Sequence, residues 1–245
     1  MSFSRESRHL LRKTLYKEHV WLPMGARIVL GFGAAIALQK NLKRADLLGV
    51  LTELTAFPCV LRMLHKQMLS NATGRRLLRE QPRINSKTLD FQALRALPLH
   101  TVGRSYVDWM DTHELSPDTR GTVRYIDHAE WAYIVQRYRE SHDFYHTLTG
   151  LPATLEGEVA LKCFEFCHLK LPVTFFSILA GATRLSAAAQ QRLWTLYLPW
   201  ALHNGQHAQT MLNVYWEEEL ATNIDVLRRR LGIRAAPSLQ KDGVL

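Results

Sequence analysis

Apolar residues recur with the period of an α-helix through almost the whole chain of 245 residues. The clearest example is the segment 125–148, in which Trp131, Val135 and Tyr138 follow one another at spacings of four and three residues. Such spacing places side chains on one face of a helix. Alternating apolar and polar runs bounded by turn residues, the pattern of half-buried β-strands, are not sustained anywhere in the sequence. The sequence therefore predicts an all-α protein.

Further segments with the same period predict the remaining helices, and breaks that contain glycine or proline separate them. The longest stretch without helical character is 115–126, which contains Pro117 and Gly121, and we predict an ordered loop there. The other predicted helices span residues 46–57, 59–70, 102–115, 154–168, 186–202 and 206–231.

The length of the chain suits one folded domain or at most two. We predict a short basic segment at 1–19, a single helical domain at 20–236 and a flexible tail at 237–245. Residues 1–19 carry five Lys and Arg against two Glu, a composition similar to that of a trimmed mitochondrial transit peptide. A frayed basic N-terminus is the alternative interpretation.

The chain carries an excess of positive charge, with 31 Lys and Arg against 22 Asp and Glu and a formal net charge of +9. This excess favours an anionic partner. The arginines occur in pairs and short groups, and neither an aromatic RNA-binding strand nor zinc-finger spacing accompanies them. We therefore expect an anionic membrane surface or an acidic ligand as the partner, and no nucleic acid.

The cysteines do not form a disulfide framework, because there are only three of them, Cys59, Cys163 and Cys167. Such an odd and sparse set indicates a reducing compartment. Cys163 and Cys167 share one helix face, and we interpret them as small core residues.

The most apolar segment, at 21–38, is interrupted by Pro23 and Arg27 and leaves a clean apolar run only at 28–38. That run is shorter than the ~18 residues that a membrane-spanning helix needs. Its glycines and alanines suit close helix packing, so we predict that it lies in the core. Shallow insertion into a membrane surface is the alternative.

One short stretch, HDFYHTLTGLPATLEGE at 142–158, combines side chains that bind divalent metals. On a helix, His146 lies about 40° and Asp143 about 100° around the axis from His142. The three side chains therefore share one side of the helix. Residues three and four apart are neighbours on a helix surface, so the two imidazoles can bind one ion and the carboxylate can reach it.

The break that follows brings a fourth candidate ligand to the same place. Gly150 can end the first helix in a left-handed cap, and Pro152 and Thr154 are typical of the start of the next helix. Glu158 falls about one turn into that helix, so an antiparallel hairpin brings it back beside His146. Two imidazoles and two carboxylates suit Zn²⁺, and Fe²⁺ or Mn²⁺ also fit such a donor set. An accidental pair of helix histidines is the alternative.

A second pair of histidines four residues apart provides an internal comparison. His203 and His207 are separated by Gly205, have no adjoining carboxylate, and lie more than two turns before the acidic group at 217–219. We interpret them as a polar helix junction, with Gly205 interrupting the helix. The histidines at 65, 100, 113, 128 and 168 are interpreted as surface residues or satisfied core groups.

Other enzyme classes find no support in the sequence. It contains no G-x-S-x-G, G-x-G-x-x-G or G-x-x-x-x-G-K-[ST] motif, which argues against serine hydrolases, dinucleotide-binding folds and P-loop proteins. An HExxH metalloprotease carries glutamate where this chain has Asp143, whose shorter side chain is better interpreted as a ligand or an acid. The further histidines and aspartate of an HD-type phosphohydrolase are not found.

HDFYH, eleven residues and Glu158 together match the pattern HDxxH-x11-E. On this pattern the chain resembles the coenzyme Q (ubiquinone) biosynthesis protein family numbered four, over about residues 16–237. The pair His203 and His207 is not part of the family motif. Further stretches that carry the resemblance are QPRINSKTLD at 81–90, LSPDTR at 115–120, YIVQRYRESHDFYHTLTGLP at 133–152 and LPWALHNGQ at 198–206.

The resemblance implies an all-helical, zinc-binding protein held peripherally on the matrix side of the mitochondrial inner membrane. It implies membership of an assembly of coenzyme Q biosynthesis proteins and contact with polyprenylated benzoate and quinone lipids, and self-association is a further expectation. The implied reaction removes the C1 carboxylate from a polyprenylated 4-hydroxy-3-methoxybenzoate, which would make the chain a metal-dependent carbon–carbon lyase. Carried over to this sequence, the metal ligands are His142, Asp143, His146 and Glu158.

The chemistry of such a reaction gives Asp143 a second expected role. Loss of CO2 from an aromatic acid leaves an electron pair on a ring carbon, and a proton must take it up. A ring hydroxyl para to the carboxylate helps, and a metal cation can orient the carboxylate or stabilise the phenolate oxygen. We expect Asp143, or a metal-bound water, to deliver the proton. A lipid-binding scaffold that organises the coenzyme Q assembly, with a metal that only staples the hairpin, is the alternative function.

A prenyl tail needs a long apolar groove, and we predict one lined by the segments 21–38, 172–181 and 194–200. Ordinary helix core is the alternative interpretation for any single residue in them. The predicted fold is therefore a single all-α domain with a metal-bearing helix hairpin and an apolar lipid groove.

Overall fold

The structure is a computed structural model that describes residues 15–41 and 44–237. Within these residues it is built from helices and contains no β-strand, and one isolated antiparallel bridge joins Thr101 to Asn223. The predicted all-α class is confirmed. Residues 1–14 and 238–245 lie outside the described part of the chain, so the transit-peptide interpretation of 1–19 and the flexible tail at 237–245 stay predictions.

Two long helices near the middle of the chain form the centre of the fold, and shorter helices surround them. Turns of 3₁₀ helix lie at Pro117–Thr119 and Met211–Asn213, and a turn of π-helix lies at Leu193–Tyr197. In chain order the α-helices are α1 (Met24–Lys40), α2 (Ala45–Thr55), α3 (Pro58–Ser70), α4 (Ala72–Glu80), α5 (Phe91–Ala96), α6 (Val102–Thr112), α7 (Ala129–Thr149), α8 (Leu155–Leu169), α9 (Pro172–Ala182), α10 (Ala187–Arg192), α11 (Leu198–His207), α12 (Trp216–Glu219) and α13 (Ile224–Leu231).

Helices α7 and α8 form the predicted antiparallel hairpin. Gly150 ends α7 with a φ of 76°, in the left-handed region that favours glycine, and its N–H donates to the His146 carbonyl at 2.8 Å. Thr154 begins α8, and its hydroxyl oxygen accepts a hydrogen bond from the Gly157 N–H at 3.2 Å. Both predicted helix ends are confirmed.

Helix α7 is buried along most of its length, and its buried charges have ionic partners. The Arg137 guanidinium donates to the two carboxylate oxygens of Glu217 at 2.7 and 2.8 Å. Glu140 accepts from the Arg83 side chain at 2.8 Å and from the Ile84 N–H at 3.1 Å. Because an unpaired buried charge is strongly destabilising, these pairs tie α7 to α12 and to the segment that follows α4.

The predicted loop at 115–126 is confirmed, apart from its one 3₁₀ turn, and it is attached to the helices around it. The Glu53 carboxylate, on α2, accepts hydrogen bonds from the backbone N–H groups of Arg124 and Tyr125, both at 2.7 Å. The carboxylate itself is buried and also pairs with Arg139 of α7 at 2.9 Å. One side chain therefore joins α2, α7 and the loop.

Residues 16–20, which we call the N-terminal strap, lie against the end of the same loop. The Val20 N–H donates to the Arg124 carbonyl at 2.8 Å. The Tyr16 hydroxyl donates to the Ile126 carbonyl at 3.0 Å. The strap thus adds a second attachment to the loop from a distant part of the sequence.

The prediction of one helix over 206–231 is wrong. The chain there passes through a 3₁₀ turn and then forms the separate helices α12 and α13. Asn223 begins α13, and its side-chain oxygen accepts from the N–H groups of Asp225 and Val226. Local hydrogen bonds of this kind compete with a continuous helix, and apolar periodicity does not reveal them.

The predicted helix at 186–202 is longer than expected and continues to His207 as α10, the π turn and α11. Pro199 lies in the first turn of α11. Proline lacks an N–H and its ring crowds the carbonyl one turn earlier in a regular helix. The wider π turn before it accommodates this crowding.

Helix α11 runs through Gly205, so the predicted interruption at this residue is wrong. A Cβ atom at Gly205 would lie 2.5 Å from the Cys167 Cβ and 3.1 Å from the Phe164 carbonyl oxygen. The absence of a side chain is what lets α11 approach α8 so closely. Cys163 and Cys167 of α8 are buried, so their predicted core position is confirmed.

The prediction that 28–38 lies in the core is wrong for most of its large side chains. On α1 only Ala34 is buried, whereas Val29 and Phe32 are 73% and 70% exposed. Helix α9 exposes large apolar side chains as well, and both helices pack against α2. We call the large apolar side chains that these two helices expose the apolar face, and a groove lined by 21–38, 172–181 and 194–200 stays a prediction. The members of the apolar face are Met24, Ile28, Val29, Phe32, Ile36, Phe175, Phe176 and Leu179.

In the described ranges no single helix is both long enough and apolar enough to cross a membrane. Helices α2 and α3 meet that requirement only when taken together, and they are bent by 92° with respect to each other.

Replacing Gly205 with alanine is expected to lower the free energy of unfolding by about 1–3 kcal/mol, because the added methyl group must push α8 and α11 apart. Gly33→Ala on α1 is the matched control. Nothing lies within 4 Å of a Cβ there, and a helix favours alanine over glycine by about 1 kcal/mol. Urea unfolding followed by circular dichroism measures both variants, and equal stability of the two would contradict the close crossing.

Candidate metal centre

The two histidines of the motif lie near the end of α7, and their side chains are buried. The Nδ1 atom of His142 lies 2.7 Å from a Glu165 carboxylate oxygen, and Nδ1 of His146 lies 3.1 Å from the Leu151 carbonyl oxygen. Both acceptors favour the tautomer that carries hydrogen on Nδ1. The lone pair of each Nε2 atom is therefore available to bind a metal ion.

Glu158 completes a group of three donors. It lies in the first turn of α8, with Oε1 3.1 Å from the His146 Nε2 and Oε2 3.5 Å from the His142 Nε2. One donor atom from each of these residues lies within 4.8 Å of the other two. The side chain of Glu158 is 39% exposed whereas that of His146 is 0% exposed. The site is thus closed on the α7 side and open to solvent beside Glu158.

The surrounding charges shift the pKa of all three side chains. Burial and the nearby Lys162 ammonium oppose protonation of His142, but the Glu165 and Glu158 carboxylates outweigh them and raise its pKa. Burial lowers the pKa of His146. Burial alone would raise the pKa of Glu158, but its hydrogen bonds to the two imidazoles lower that pKa well below its usual range. Glu158 is therefore a carboxylate at neutral pH, and a metal must displace any proton held at His142.

A second set of buried polar groups, which sequence reasoning missed, lies behind His142. Glu165 accepts hydrogen bonds from the Tyr138 hydroxyl and the Lys162 ammonium, both at 2.7 Å. Burial would raise the pKa of Glu165, but Lys162 and His142 lower it to about 2. The charged carboxylate holds the His142 ring in place. The sequence does contain a pattern that points to this set. Glu158, Lys162 and Glu165 follow one another at spacings of four and three residues, which places them on one face of α8.

Asp143 has a different partner from the other three predicted ligands. Its Oδ1 accepts from the Arg120 guanidinium at 2.6 Å, and it is not a member of the three-donor group. Arg120 belongs to the loop at 115–126, and its Nε atom is buried without a hydrogen-bond partner. No spacing in the sequence points to Arg120, since the contact arises from tertiary structure. The structure thus brings three of the four predicted ligands together and places the fourth on an arginine.

A tryptophan from α6 covers the His146 ring. Trp109 stacks on His146 with ring centroids 4.8 Å apart and an angle of 24° between the rings. The Trp109 Nε1–H donates to the Leu151 carbonyl at 3.0 Å, the same oxygen that lies beside His146 Nδ1. His113 also contacts Trp109, with ring centroids 4.8 Å apart and an angle of 58° between the rings, and its Nε2 accepts from the Ala153 N–H at 3.3 Å. These contacts restrict the rotation of His146.

The donor set and its spacing fit a divalent metal. Ligand atoms about 2.1 Å from a tetrahedral ion are roughly 3.4 Å from one another. The separations of 3.1 Å from Oε1 of Glu158 to His146 and 3.5 Å from Oε2 to His142 are close to that value, and one donor atom from each of the three residues lies within 4.8 Å of the others. Two imidazoles and a carboxylate suit Zn²⁺, and the same atoms also bind Fe²⁺ and Mn²⁺.

Comparison with known proteins shows where this arrangement belongs. The family model described as coenzyme Q (ubiquinone) biosynthesis protein Coq4 matches residues 16–237. This chain belongs to the Coq4 family. In this sequence the three converging donors are the His, His and Glu of the pattern HDxxH-x11-E, and Asp143 is its aspartate.

Two Coq4 relatives show how much of the chain the similarity covers. The chain is 50% identical to the mitochondrial ubiquinone biosynthesis protein COQ4 of Paracoccidioides brasiliensis over 226 residues, which are 92% of this chain and 79% of that protein. It is 47% identical to the mitochondrial COQ4 protein of Yarrowia lipolytica, over 92% of this chain and 86% of that protein. Both relatives are named mitochondrial.

A solved structure shows that the Coq4 fold is shared more widely. A crystal structure of a protein assigned to ubiquinone biosynthesis in Nostoc punctiforme has a TM-score of 0.66 to this chain. The match covers 84% of this chain and 98% of that chain at 17% sequence identity. At this identity the likeness concerns the helical fold alone.

The second histidine pair of this Coq4 family member lies away from any group of three donors. His203 and His207 are exposed on α11, with their rings stacked 4.7 Å apart. The His207 Nδ1 lies 2.7 Å from the His203 carbonyl oxygen, in the last turn of α11. Among the residues that the structure describes, the group of His142, His146 and Glu158 is the one that could hold a metal ion.

Alanine in place of His142 or Glu158 is expected to abolish stoichiometric metal in protein purified without chelators, because two remaining donors hold a divalent ion weakly. His203→Ala is the matched control and should keep the metal. Elemental analysis measures the metal, and circular dichroism checks that the helices remain. A metal-free wild type, or variants loaded as fully as the wild type, would contradict the site.

Proposed function

We propose that this chain is a metal-dependent aromatic decarboxylase of ubiquinone biosynthesis. Its substrate would be a polyprenylated 4-hydroxy-3-methoxybenzoate, which loses the C1 carboxylate to give the prenylated methoxyphenol. The observation that carries the proposal is the convergence of His142, His146 and Glu158 at a site that opens to solvent. Three protein donors with an open side are typical of catalytic metal sites. Membership of the Coq4 family supports the pathway.

Some residues of the site would bind the ion, and others would hold those ligands in position. An ion held by the three donors would supply a positive charge that polarises a substrate oxygen. Glu165 and the Leu151 carbonyl hold the two imidazole rings with Nε2 toward the ion position. Trp109 shields the ring of His146 from water, which strengthens electrostatic interactions in the site.

The reaction also needs a proton at the ring carbon that loses CO2. The sequence predicts Asp143 as the donor of this proton. In the structure Oδ1 of Asp143 is engaged by the Arg120 guanidinium at 2.6 Å. We therefore propose that water entering on the exposed side of Glu158 is the proton source.

The prenyl tail requires apolar surface next to the metal ligands, and α9 provides it. Gly181 of α9 lies so close to Val159 and Leu155 of α8 that a Cβ atom there would contact both side chains. Val159 follows Glu158 directly, so the end of α9 packs on the turn of α8 that carries Glu158. The exposed apolar side chains of α9 lie within the two turns before Gly181. This arrangement supports a tail that leaves the site along α9 and reaches the apolar face.

The apolar face also favours a second function, a scaffold that binds isoprenoid lipid. In this case the chain would organise other coenzyme Q biosynthesis proteins, and the metal would only stabilise the α7–α8 hairpin. Exposed aromatic side chains such as Phe32 and Phe176 suit lipid or protein contacts equally well. The two functions differ in whether the chain turns substrate over.

Metal-loaded protein given the prenylated hydroxy-methoxybenzoate is expected to release CO2 and form the prenylated methoxyphenol, and Glu158→Ala is expected to lose this activity. A carboxyl-labelled substrate and mass spectrometry of the lipid product measure the reaction. His203→Ala, which leaves the three donors intact, should retain it. Lipid binding without turnover, with the other coenzyme Q biosynthesis proteins supplied, would favour the scaffold.

We further propose that the chain attaches peripherally to the matrix side of the mitochondrial inner membrane, where its lipid substrate resides. The mitochondrial relatives, the net charge of +9 and the apolar face support this location. Each basic residue near an anionic membrane surface contributes roughly 1 kcal/mol of attraction. The side chains of the apolar face can add shallow insertion.

Binding to cardiolipin-rich liposomes is expected to weaken but persist at about 0.5 M salt, because salt screens charge attraction and does not prevent insertion. Neutral liposomes should bind little protein in the same flotation assay. Replacing both Val29 and Phe32 with serine should remove the salt-resistant part. Leu99→Ser is the control, since Leu99 is 66% exposed on a different segment.

Equal affinity of the wild type for neutral and anionic liposomes would contradict the electrostatic contribution. Complete release of the wild type by salt would contradict insertion of the apolar face.

A further inference from the structure

Zinc sites of different kinds differ in their number of protein ligands. A structural ion has four protein ligands, whereas a catalytic ion has three and one open position. In this chain three donors converge, and Asp143 is the neighbouring side chain that would make a fourth. The partner of Asp143 therefore decides which kind of site the hairpin forms.

The Asp143 carboxylate is directed toward Arg120. Its Oδ1 lies 2.6 Å from the Arg120 Nη2, and the two side chains are 3% and 21% exposed. Asp143 lies about 60° further around α7 than His146, on the flank of the ligand-bearing side. A buried carboxylate that lost this partner would be strongly destabilised unless another cation replaced it. The ion pair is thus a strong restraint on the position of Asp143.

Arg120 is held in position by anchors on both sides of it in the loop. Before it, the Asp118 carboxylate accepts from the Ser86 N–H at 2.9 Å and from the Ser86 hydroxyl at 2.6 Å. After it, the Val123 N–H donates to the Gln136 side chain of α7 at 2.9 Å. These bonds attach the loop to two separate parts of the fold, so the guanidinium has a defined place beside Asp143.

We propose that Arg120 keeps Asp143 out of the coordination sphere, so that His142, His146 and Glu158 are the protein ligands of the ion. One position of the ion then stays open for an anionic oxygen, such as a carboxylate oxygen of the substrate. This inference rests on the metal site of the proposed function.

A second observation on Arg120 supports an anionic ligand at the open position. Asp143 accepts from one terminal nitrogen of the guanidinium, but the Nε atom is buried and has no hydrogen-bond partner. A buried donor without a partner is costly, and a bound anion would supply the missing acceptor. The positive charges of the ion and of Arg120 therefore favour binding of the acidic substrate. They do not favour binding of the neutral phenol that remains once the acid has lost CO2.

The test uses the full chain with Co²⁺ in place of the native metal, because the visible absorption of Co²⁺ depends on the number and kind of its ligands. The wild type is expected to change its absorption when azide or benzoate is added, since either anion can take the open position. Arg120→Met frees Asp143 to bind the ion, so this variant should lose the anion-induced change. Arg120→Met combined with Asp143→Asn should regain it.

Asp143→Asn alone is expected to leave the absorption of the wild type and its response to anions unchanged. Arg83→Met is the matched control, because Arg83 pairs at 2.6 Å with Glu140, a buried carboxylate on the same helix. It removes an arginine from a buried carboxylate without freeing a metal ligand, so its absorption and anion response should equal those of the wild type. If Arg120→Met does not fold, Asp143→Asn decides the question.

Two results would overturn the inference while leaving the metal site intact. One is a lower Co²⁺ affinity and altered absorption in Asp143→Asn, which would identify Asp143 as a ligand in the wild type. The other is an unchanged anion response in folded Arg120→Met. A wild type that binds no Co²⁺ would instead overturn the metal site itself, and the proposed function with it.

Discussion

The left-handed turn at Gly150 is the constraint on which the arrangement of the site depends. It ends α7 one turn after His146 and sends α8 back along it. As a result the Glu158 carboxylate lies beside the Nε2 atoms of the two imidazoles. Glu165, two turns further along α8, lies beside Nδ1 of His142. One extra residue in α8 before Glu158 would rotate this carboxylate by about 100° around the helix axis, away from the two imidazoles. The turn therefore sets the geometry of the ion position as directly as the ligands do.

The centre of the hairpin is unusually polar for a protein core, and each charge in it depends on a partner from another element. Glu165 has Lys162 and Tyr138 around it, and Arg137 has Glu217. Replacing one member of such a pair costs more than the pair contributes, because it leaves the other charge buried alone. The polar centre thus favours one register of α7 against α8, and a bound metal would add to the same preference.

The part of this arrangement that depends on local spacing could be predicted from the sequence. His142, His146 and Glu158 come together because helix geometry and two helix caps determine their positions. The contact between Arg120 and Asp143 could not be predicted, since it depends on how a loop is anchored elsewhere. The same limit applies to α1, whose apolar period predicts a helix but does not tell whether another element covers it. In the segment 206–231, side-chain hydrogen bonds at asparagine override the helical period.

The N-terminal strap has a consequence for the order in which the fold is completed. Tyr16 and Ile126, which it joins, are 110 residues apart in the sequence. Contacts between such distant positions form slowly, because closing a long loop costs chain entropy before the contact stabilises it. The loop that the strap holds also carries Arg120, whereas the hairpin forms from residues close together in the chain. The histidines and Glu158 can therefore assemble early in folding, whereas the strap closes over the loop late.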